Sequence, residues 1–237
     1  MRYFLCFLTL FAVSSCGERS ASDMANQQRA AIAPQQFALV PCRKVFSEEH
    51  PPCSLLAAGG KYYLMGAPEG ALASLLEDEI ELLDGVLLFS LLPDQIEGLD
   101  SVRNATWRAG RSAPLLVAGP EGTTGFGSAI DSAFETSDAE LFAKESPAGG
   151  FDASLLRPVE IVFGTNAGTE VANTGDLVII GFYAPSGQIA YRAEYSGRIA
   201  AIGMCGGAAD ETFLQMLSSD DYLSECNDSG EIDYILK

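Results

Sequence analysis

Strand-like and helix-like patterns alternate along the chain from residue 61 to residue 219, and this alternation constrains the fold more than any other feature. Apolar or alternating runs predict strands at 61–68, 84–92, 113–122, 157–165 and 175–185. Helical spacing or a helix-starting residue predicts helices at 69–82, 93–111, 123–142 and 210–219. Two alternating runs joined by Ser196-Gly197 predict a β-hairpin. Intermixed elements of this kind, without internal repeats, predict one layered α/β sandwich.

The first residues predict a targeting signal rather than part of the fold. Arg2 precedes a continuous apolar run over residues 3–13, which is too short to span a bilayer as a permanent helix. The run ends in "VSSC", which resembles a bacterial lipobox and predicts that Cys16 is lipidated. A lipidated cysteine carrying more than one acyl chain anchors a protein stably to a membrane. The alternative is an ordinary secretory signal that is cleaved nearby.

These features predict three regions. Residues 1–15 are predicted to be the lipoprotein signal peptide, residues 16–36 a flexible tether rich in Ser, Ala and Gln, and residues 37–237 a single domain. The predicted localisation is the bacterial cell envelope, on the periplasmic side and lipid-anchored. Gly17 after the cysteine favours the outer membrane, by similarity to lipoprotein sorting signals.

The charge balance limits the classes of partner. The chain carries 14 Lys and Arg residues against 32 Asp and Glu residues. A surface of this sign repels phosphate backbones and anionic lipid heads. We therefore expect no nucleic-acid partner and no membrane contact other than the lipid anchor.

The cysteine count also fits export. Once Cys6 and Cys16 are set aside, four cysteines remain: Cys42, Cys53, Cys205 and Cys226. An even number in an oxidising compartment predicts two disulfides, and proximity in sequence favours Cys42–Cys53 and Cys205–Cys226 among the three possible pairings. The alternative is a metal-binding set, although no CxxC spacing is present.

Several stretches resemble, in order, motifs of the metallo-β-lactamase superfamily, in its ribonuclease Z and arylsulfatase-like branch. These stretches are "GGKYYLMGAPEGALASLL", "LLFSLLPDQIEGLDSV", "TWRAGR", "PLLVAGPEGT" and "IAYRAEYSGRIAAIGMCG". Together they span residues 54–212. The resemblance implies a four-layer αββα sandwich with its site at one edge of the two sheets. It also implies zinc chemistry, in which histidines and carboxylates hold one or two ions that activate a water.

The metal-binding motif is degenerate in this chain. The family's "HLHSDH" aligns with residues 90–95, so that Ser90, Leu92 and Gln95 stand where imidazoles are expected and only Asp94 is retained. Other family ligands fall on residues of the wrong chemistry. The bridging aspartate falls at Cys205, a later histidine near Phe182 or Tyr183, and the aspartate of an early turn at Gly66.

Composition supports the same conclusion without alignment. His50 is the single histidine of the whole chain, so no imidazole cluster can form. We therefore predict no metal, no cofactor and no catalytic residue. Leu92 offers no lone pair and predicts a dry pocket, and Asp94 is predicted to be a helix cap or a hydrogen-bonded structural carboxylate.

The leading functional hypothesis is a catalytically degenerate envelope lipoprotein that binds a small molecule or an envelope protein. The alternative is a divergent hydrolase of a phosphoester or sulfate ester, which requires an open polar cavity near Ser90, Asp94, Tyr183 and Cys205. A Ser90 nucleophile would lack an imidazole base. A third possibility is an envelope assembly factor with an exposed apolar face. Export and negative charge disfavour processing of transfer RNA precursors.

Overall fold

The structure is a computed structural model, and it describes residues 31–42, 53–162, 168–183, 187–203 and 222–224. Two β-sheets form the centre of the described part of the chain. The elements given below belong to one compact unit, Ile32–Lys237. No helix within these ranges is long and apolar enough to cross a membrane.

The first sheet has six strands in sequential order. Its strands are β1 (Phe37–Pro41), β2 (Ser54–Ala58), β3 (Lys61–Met65), β4 (Leu83–Leu87), β5 (Leu115–Gly119) and β6 (Leu156–Glu160). The pairs β1–β2 and β2–β3 are antiparallel, whereas β3 to β6 run parallel to one another. The carboxyl ends of β3 to β6 therefore meet at one edge of the sheet.

The second sheet has five strands in the order β11-β10-β9-β8-β7. These strands are β7 (Thr169–Asn173), β8 (Leu177–Tyr183), β9 (Ile189–Tyr195), β10 (Arg198–Ile202) and β11 (Tyr222–Ser224). All neighbours are antiparallel except β10 and β11. The predicted hairpin is confirmed: Ser196 and Gly197 both have positive φ, 52° and 77°, as a two-residue turn of type I′ requires.

Helices cover one face of the first sheet. They are α1 (Glu77–Glu81), α2 (Pro93–Ile96), α3 (Leu99–Ala109) and α4 (Thr123–Glu145), with 3-10 turns at Ala71–Ser74 and Asp152–Ser154. One apolar core lies between the two sheets, and a second lies between the first sheet and these helices. The predicted α/β sandwich is confirmed, and the helix predicted at 210–219 lies outside the described residues.

Several predicted element boundaries differ from the structure. The strand predicted at 84–92 ends at Leu87, and the remainder forms a loop. The helix predicted at 69–82 is a 3-10 turn followed by α1. The helix predicted at 93–111 is interrupted before Leu99, because Gly98 N donates to Ala67 O at 2.8 Å and not to a helical carbonyl. Glycine is required there, since a Cβ would be 2.3 Å from the Pro68 oxygen.

The "TWRAGR" stretch is structural. Trp107 Nε1 donates to the carbonyl of Gly150 at 2.9 Å, and Arg111 Nε donates to Thr106 Oγ1 at 3.0 Å. Burial, followed by repulsion from Arg103, lowers the pKa of Arg111 to about 10. These contacts fix the end of α3 against the loop that precedes β6.

The Cys42–Cys53 disulfide that the sequence favours is present. Its Cα atoms are 5.3 Å apart and it joins the end of β1 to the start of β2. Both cysteines are buried. Cys16, Cys205, Cys226 and His50 lie outside the described residues.

Candidate functional site

The candidate site is the loop that follows β4, residues 88–98, here called the motif loop. Its first residues contact both sheets, because Leu88 N donates to Ala118 O of β5 at 2.7 Å and Ile189 N of β9 donates to Phe89 O at 2.8 Å. Leu88 and Phe89 are buried. The loop therefore starts at the edge where both sheets meet.

Tyr191 supports the start of the motif loop from the second sheet. Its hydroxyl donates to Leu88 O at 2.8 Å and lies 3.2 Å from Ala118 O. The side chain is fully buried, and this burial raises the pKa of Tyr191 well above its ordinary value. The phenol therefore remains protonated and acts as a hydrogen-bond donor between the sheets.

The end of the motif loop is held by the turn after β3. Ala67 N donates to Gln95 O at 2.9 Å, and Gly98 N donates to Ala67 O at 2.8 Å. Gly66 begins this turn with φ 75°, a conformation that favours glycine, and its N–H donates to Leu87 O at 2.8 Å. Gly66 thus has a backbone role at the position where the resemblance implies an aspartate.

Carboxylate and hydroxyl groups satisfy the backbone at the start of α4. Glu160 Oε1 accepts hydrogen bonds from Thr124 N at 2.9 Å and Gly122 N at 3.1 Å. The bond from Thr124, more than any other contact, lowers the pKa of Glu160. Tyr183 Oη accepts a hydrogen bond from Glu121 N at 3.0 Å. The last residues of β6 and β8 therefore lie beside the loop between β5 and α4.

Two expectations about the motif loop are contradicted, the dry pocket at Leu92 and the helix-cap alternative for Asp94. Leu92 does not line a dry pocket, since its side chain is 52% exposed at the residue that precedes α2. Asp94 is not a helix cap, because Leu92 occupies the N-cap and Pro93 the first helical position. Asp94 Oδ1 is buried without a hydrogen-bond partner among the described residues, so this oxygen is not part of a structural hydrogen bond.

The structure also describes Ser90 and Gln95, two further positions where the resemblance implies metal ligands. Ser90 Oγ accepts a hydrogen bond from Leu92 N at 3.3 Å, which is a local turn contact. Gln95 is fully buried, and neither of its amide atoms has a partner within the described part of the chain. Sequence reasoning missed the inward position of Gln95, and no helical spacing signals it, because the helix is interrupted between Gln95 and the buried Leu99.

The residues of the motif loop do not fit a zinc centre. The four motif positions Ser90, Leu92, Asp94 and Gln95 offer a hydroxyl, an isobutyl group, a carboxylate and an amide, and Glu97 is the one further carboxylate of the loop. Among the described residues, no three His, Cys, Asp or Glu side chains lie close enough together to hold a metal ion.

No protein-family model matches the sequence, and no curated protein matches it. Solved structures do show similar folds. The short form of human tRNase Z aligns with a TM-score of 0.56 and 17% identity, over 79% of this chain and 76% of that one. A diphosphatase from the PhnP family aligns with a TM-score of 0.51 and 14% identity, over 79% of this chain and 73% of that one.

A third similar structure is the metallo-β-lactamase fold protein YhfI from Bacillus subtilis. It aligns with a TM-score of 0.50 and 17% identity, over 81% of this chain and 71% of that one. Identities this low establish the fold alone. The chain has the metallo-β-lactamase fold, and the predicted fold class is confirmed.

Proposed function

We propose that this protein is a catalytically degenerate metallo-β-lactamase-fold protein that acts as a metal-independent binding or interaction module. One observation carries the proposal. The motif loop is held in place by backbone hydrogen bonds from Ala67 and Gly98 and by the Tyr191 hydroxyl, yet its side chains do not form a metal-ligand set. A small molecule or an envelope protein is the partner class that the acidic chain favours over nucleic acid.

Metal analysis tests this proposal. The full chain is purified without chelators, and its zinc and iron contents are measured against protein concentration. We expect less than stoichiometric metal, and we expect the same value for Asp94→Ala. A stoichiometric zinc or iron content that Asp94→Ala removes would overturn the proposal.

The proposal includes a lipid anchor in the cell envelope. The buried Cys42–Cys53 disulfide supports an oxidising compartment, because cytosolic thiols are kept reduced. The "VSSC" stretch supports lipidation at Cys16. Membrane fractionation with a labelled fatty acid tests this part: the wild-type chain should carry label in the membrane fraction, and Cys16→Ser should carry none.

A second candidate function is a divergent hydrolase, and one observation favours it. Asp94 Oδ1 is buried without a hydrogen-bond partner among the described residues, and a bound water or substrate group would satisfy it. A panel of phosphoesters and sulfate esters tests it, with Asp94→Ala as the inactivating variant. Asp100→Ala, in the first turn of α3, is the matched control. Turnover that Asp94→Ala abolishes and Asp100→Ala retains would favour this second function.

A further inference from the structure

The outer side of β1 is an edge of the first sheet with unpaired backbone groups. β1 pairs with β2 in an antiparallel register without a break, and no described strand lies on its other side. Cys42 N donates to Cys53 O, so alternation along the strand turns the N–H and C=O groups of Phe37 and Leu39 away from β2. Within the described ranges, no hydrogen bond involves these outward groups. They are therefore available to a further strand.

The opposite edge of the same sheet, β6, is blocked against such pairing. Leu156 N donates to the carboxylate of Asp131 at 3.2 Å. Just after the strand, Val162 N donates to Thr169 Oγ1 at 2.9 Å. Both groups point out of the sheet, and alternation places Pro158, which has no N–H, on the same side. The outer side of β6 thus offers few free donors to another strand.

The edges of the second sheet also carry features that hinder pairing. The register of β7 shifts between Glu170 and Ala172, and Glu170 places an exposed charge on this edge. β11 comprises three residues. Bulges, charges and short strands are the usual means by which sheet edges avoid pairing with another chain. β1 differs from these strands because it is five residues long, unbroken and uncharged.

The electrostatics of this edge favour approach by a second copy of the chain. The net charge of the chain is −18, so two copies repel each other over most of their surfaces. Residues 31–42, which include β1, contain no charged side chain. Ala38 and Val40 of this segment are partly exposed. Repulsion between two copies is therefore weakest where their β1 edges meet.

The geometry of β1 also fits self-pairing. In an antiparallel pair centred on Leu39, the two Leu39 residues exchange two hydrogen bonds. Phe37 N then donates to the carbonyl of Pro41 of the second copy, so the missing proline N–H is not needed for that bond. Ala38 faces Val40 of the second copy in a non-hydrogen-bonded pair, whose Cα atoms lie about 4.5 Å apart. A second copy thus supplies a strand of the same length with the same unpaired groups.

We propose that this protein self-associates through β1, with the two copies of the strand antiparallel about Leu39. The two six-stranded sheets then form one continuous sheet across a two-fold axis, which is the commonest symmetry of homodimers. This inference goes beyond the proposed binding function and does not depend on it.

Disulfide cross-linking of the purified full chain tests the register. Ala38→Cys and Val40→Cys chains carry different tags, are mixed and are then oxidised. The facing positions are within the Cα separation that a disulfide spans, about 4.4–6.8 Å. We expect the mixture to cross-link several-fold faster than either variant alone. Wild type controls for the native cysteines, and a mixture with Ala139→Cys, on the exposed side of α4, controls for random collision.

Sedimentation equilibrium measures the association itself. We expect wild type and Ala139→Lys to form dimers as the concentration rises. Ala38→Lys should remain monomeric over the same range, because it places a charge opposite Val40 of the second copy. Thermal unfolding verifies that each variant is folded, and if Ala38→Lys does not fold, the cross-linking result decides alone.

Three results would overturn the proposal. The first is a wild-type chain that stays monomeric over the whole concentration range. The second is equal dimerisation by folded Ala38→Lys. The third is a mixture of Ala38→Cys and Val40→Cys that cross-links no faster than the separate variants.

Discussion

The hydroxyl of Tyr191 donates a 2.8 Å hydrogen bond to the carbonyl of Leu88, and so connects the second sheet to the first residue of the motif loop. Both residues are fully buried. The contact joins positions 103 residues apart in the chain. The placement of the motif loop therefore depends on the packing of one sheet against the other.

Tyr191→Phe removes this hydrogen bond and leaves the Leu88 carbonyl without the tyrosine donor. We expect the free energy of unfolding to fall by about 1–3 kcal/mol, because a buried acceptor loses its partner. Chemical denaturation measures the change. Tyr195→Phe removes a hydroxyl from the partly exposed end of the same strand and should lower the free energy of unfolding by a smaller amount. Equal losses in the two variants would contradict the role given to Tyr191.

Helices α3 and α4 are joined by one buried and one exposed ion pair, and their contributions to stability can be compared directly. Arg103 of α3 is 1% exposed and is bonded to Asp138 of α4, whose side chain is 7% exposed. Arg108 of α3 and Glu145 of α4 form a 2.9 Å pair whose side chains are 51% and 45% exposed. Burial is therefore the main difference between the two pairs.

Asp138→Ala should lower the free energy of unfolding by about 3 kcal/mol, because it leaves the Arg103 charge buried with one carboxylate fewer. The value lies at the low end for a broken buried pair, since Asp131 still contacts Arg103 Nε at 3.1 Å. Glu145→Ala should cost less than about 1 kcal/mol, as is usual for exposed pairs. Denaturant titration of both variants measures the two changes. Similar decreases in the free energy of unfolding would contradict the prediction.

The disulfide closes a short loop, with its cysteines 11 residues apart in sequence. Replacing both cysteines, as Cys42→Ser with Cys53→Ser, should destabilise the fold by about 3 kcal/mol through loss of loop closure. Reduction of the wild-type protein should lower its unfolding temperature, whereas the double variant should not respond to reductant. A wild-type unfolding temperature that reduction leaves unchanged would contradict this prediction.

Ionisation of Glu160, which lies beside the start of α4, should make the free energy of unfolding depend on pH. Hydrogen bonds from Thr124 and Gly122 lower its pKa below the ordinary value of 4.5. A lowered folded-state pKa contributes stability above the ordinary value, and this contribution is lost as the pH falls through the folded-state pKa. The stability difference between wild type and Glu160→Gln should therefore be largest near neutral pH.

Thermal unfolding across a pH series measures this effect. The wild-type advantage should shrink as the pH falls below 4.5, the ordinary pKa of Glu160. Glu121→Gln changes an exposed carboxylate in the same loop and is the control. A difference between wild type and Glu160→Gln that is constant with pH would contradict the assignment.

Patterns with a clear period were predictable from sequence, because local side-chain alternation and turn residues specify them directly. The hairpin at Ser196-Gly197 is such a case. β1, β2 and β7 were not predicted. They are strands of five residues each, and Pro41 and the polar residues of β7 obscure the alternation. Pairing with neighbouring strands decides such segments.

The properties of the site were likewise predictable only in part. Composition alone determined that an imidazole cluster is impossible, because the chain has one histidine. Only the tertiary structure decided that Leu92 is exposed and that Gln95 is buried with its amide unpaired. The backbone at Gln95 and Gly98 is held by hydrogen bonds with Ala67, a residue far from them in sequence. Local sequence specifies which groups are present, whereas long-range packing specifies which of them face inward.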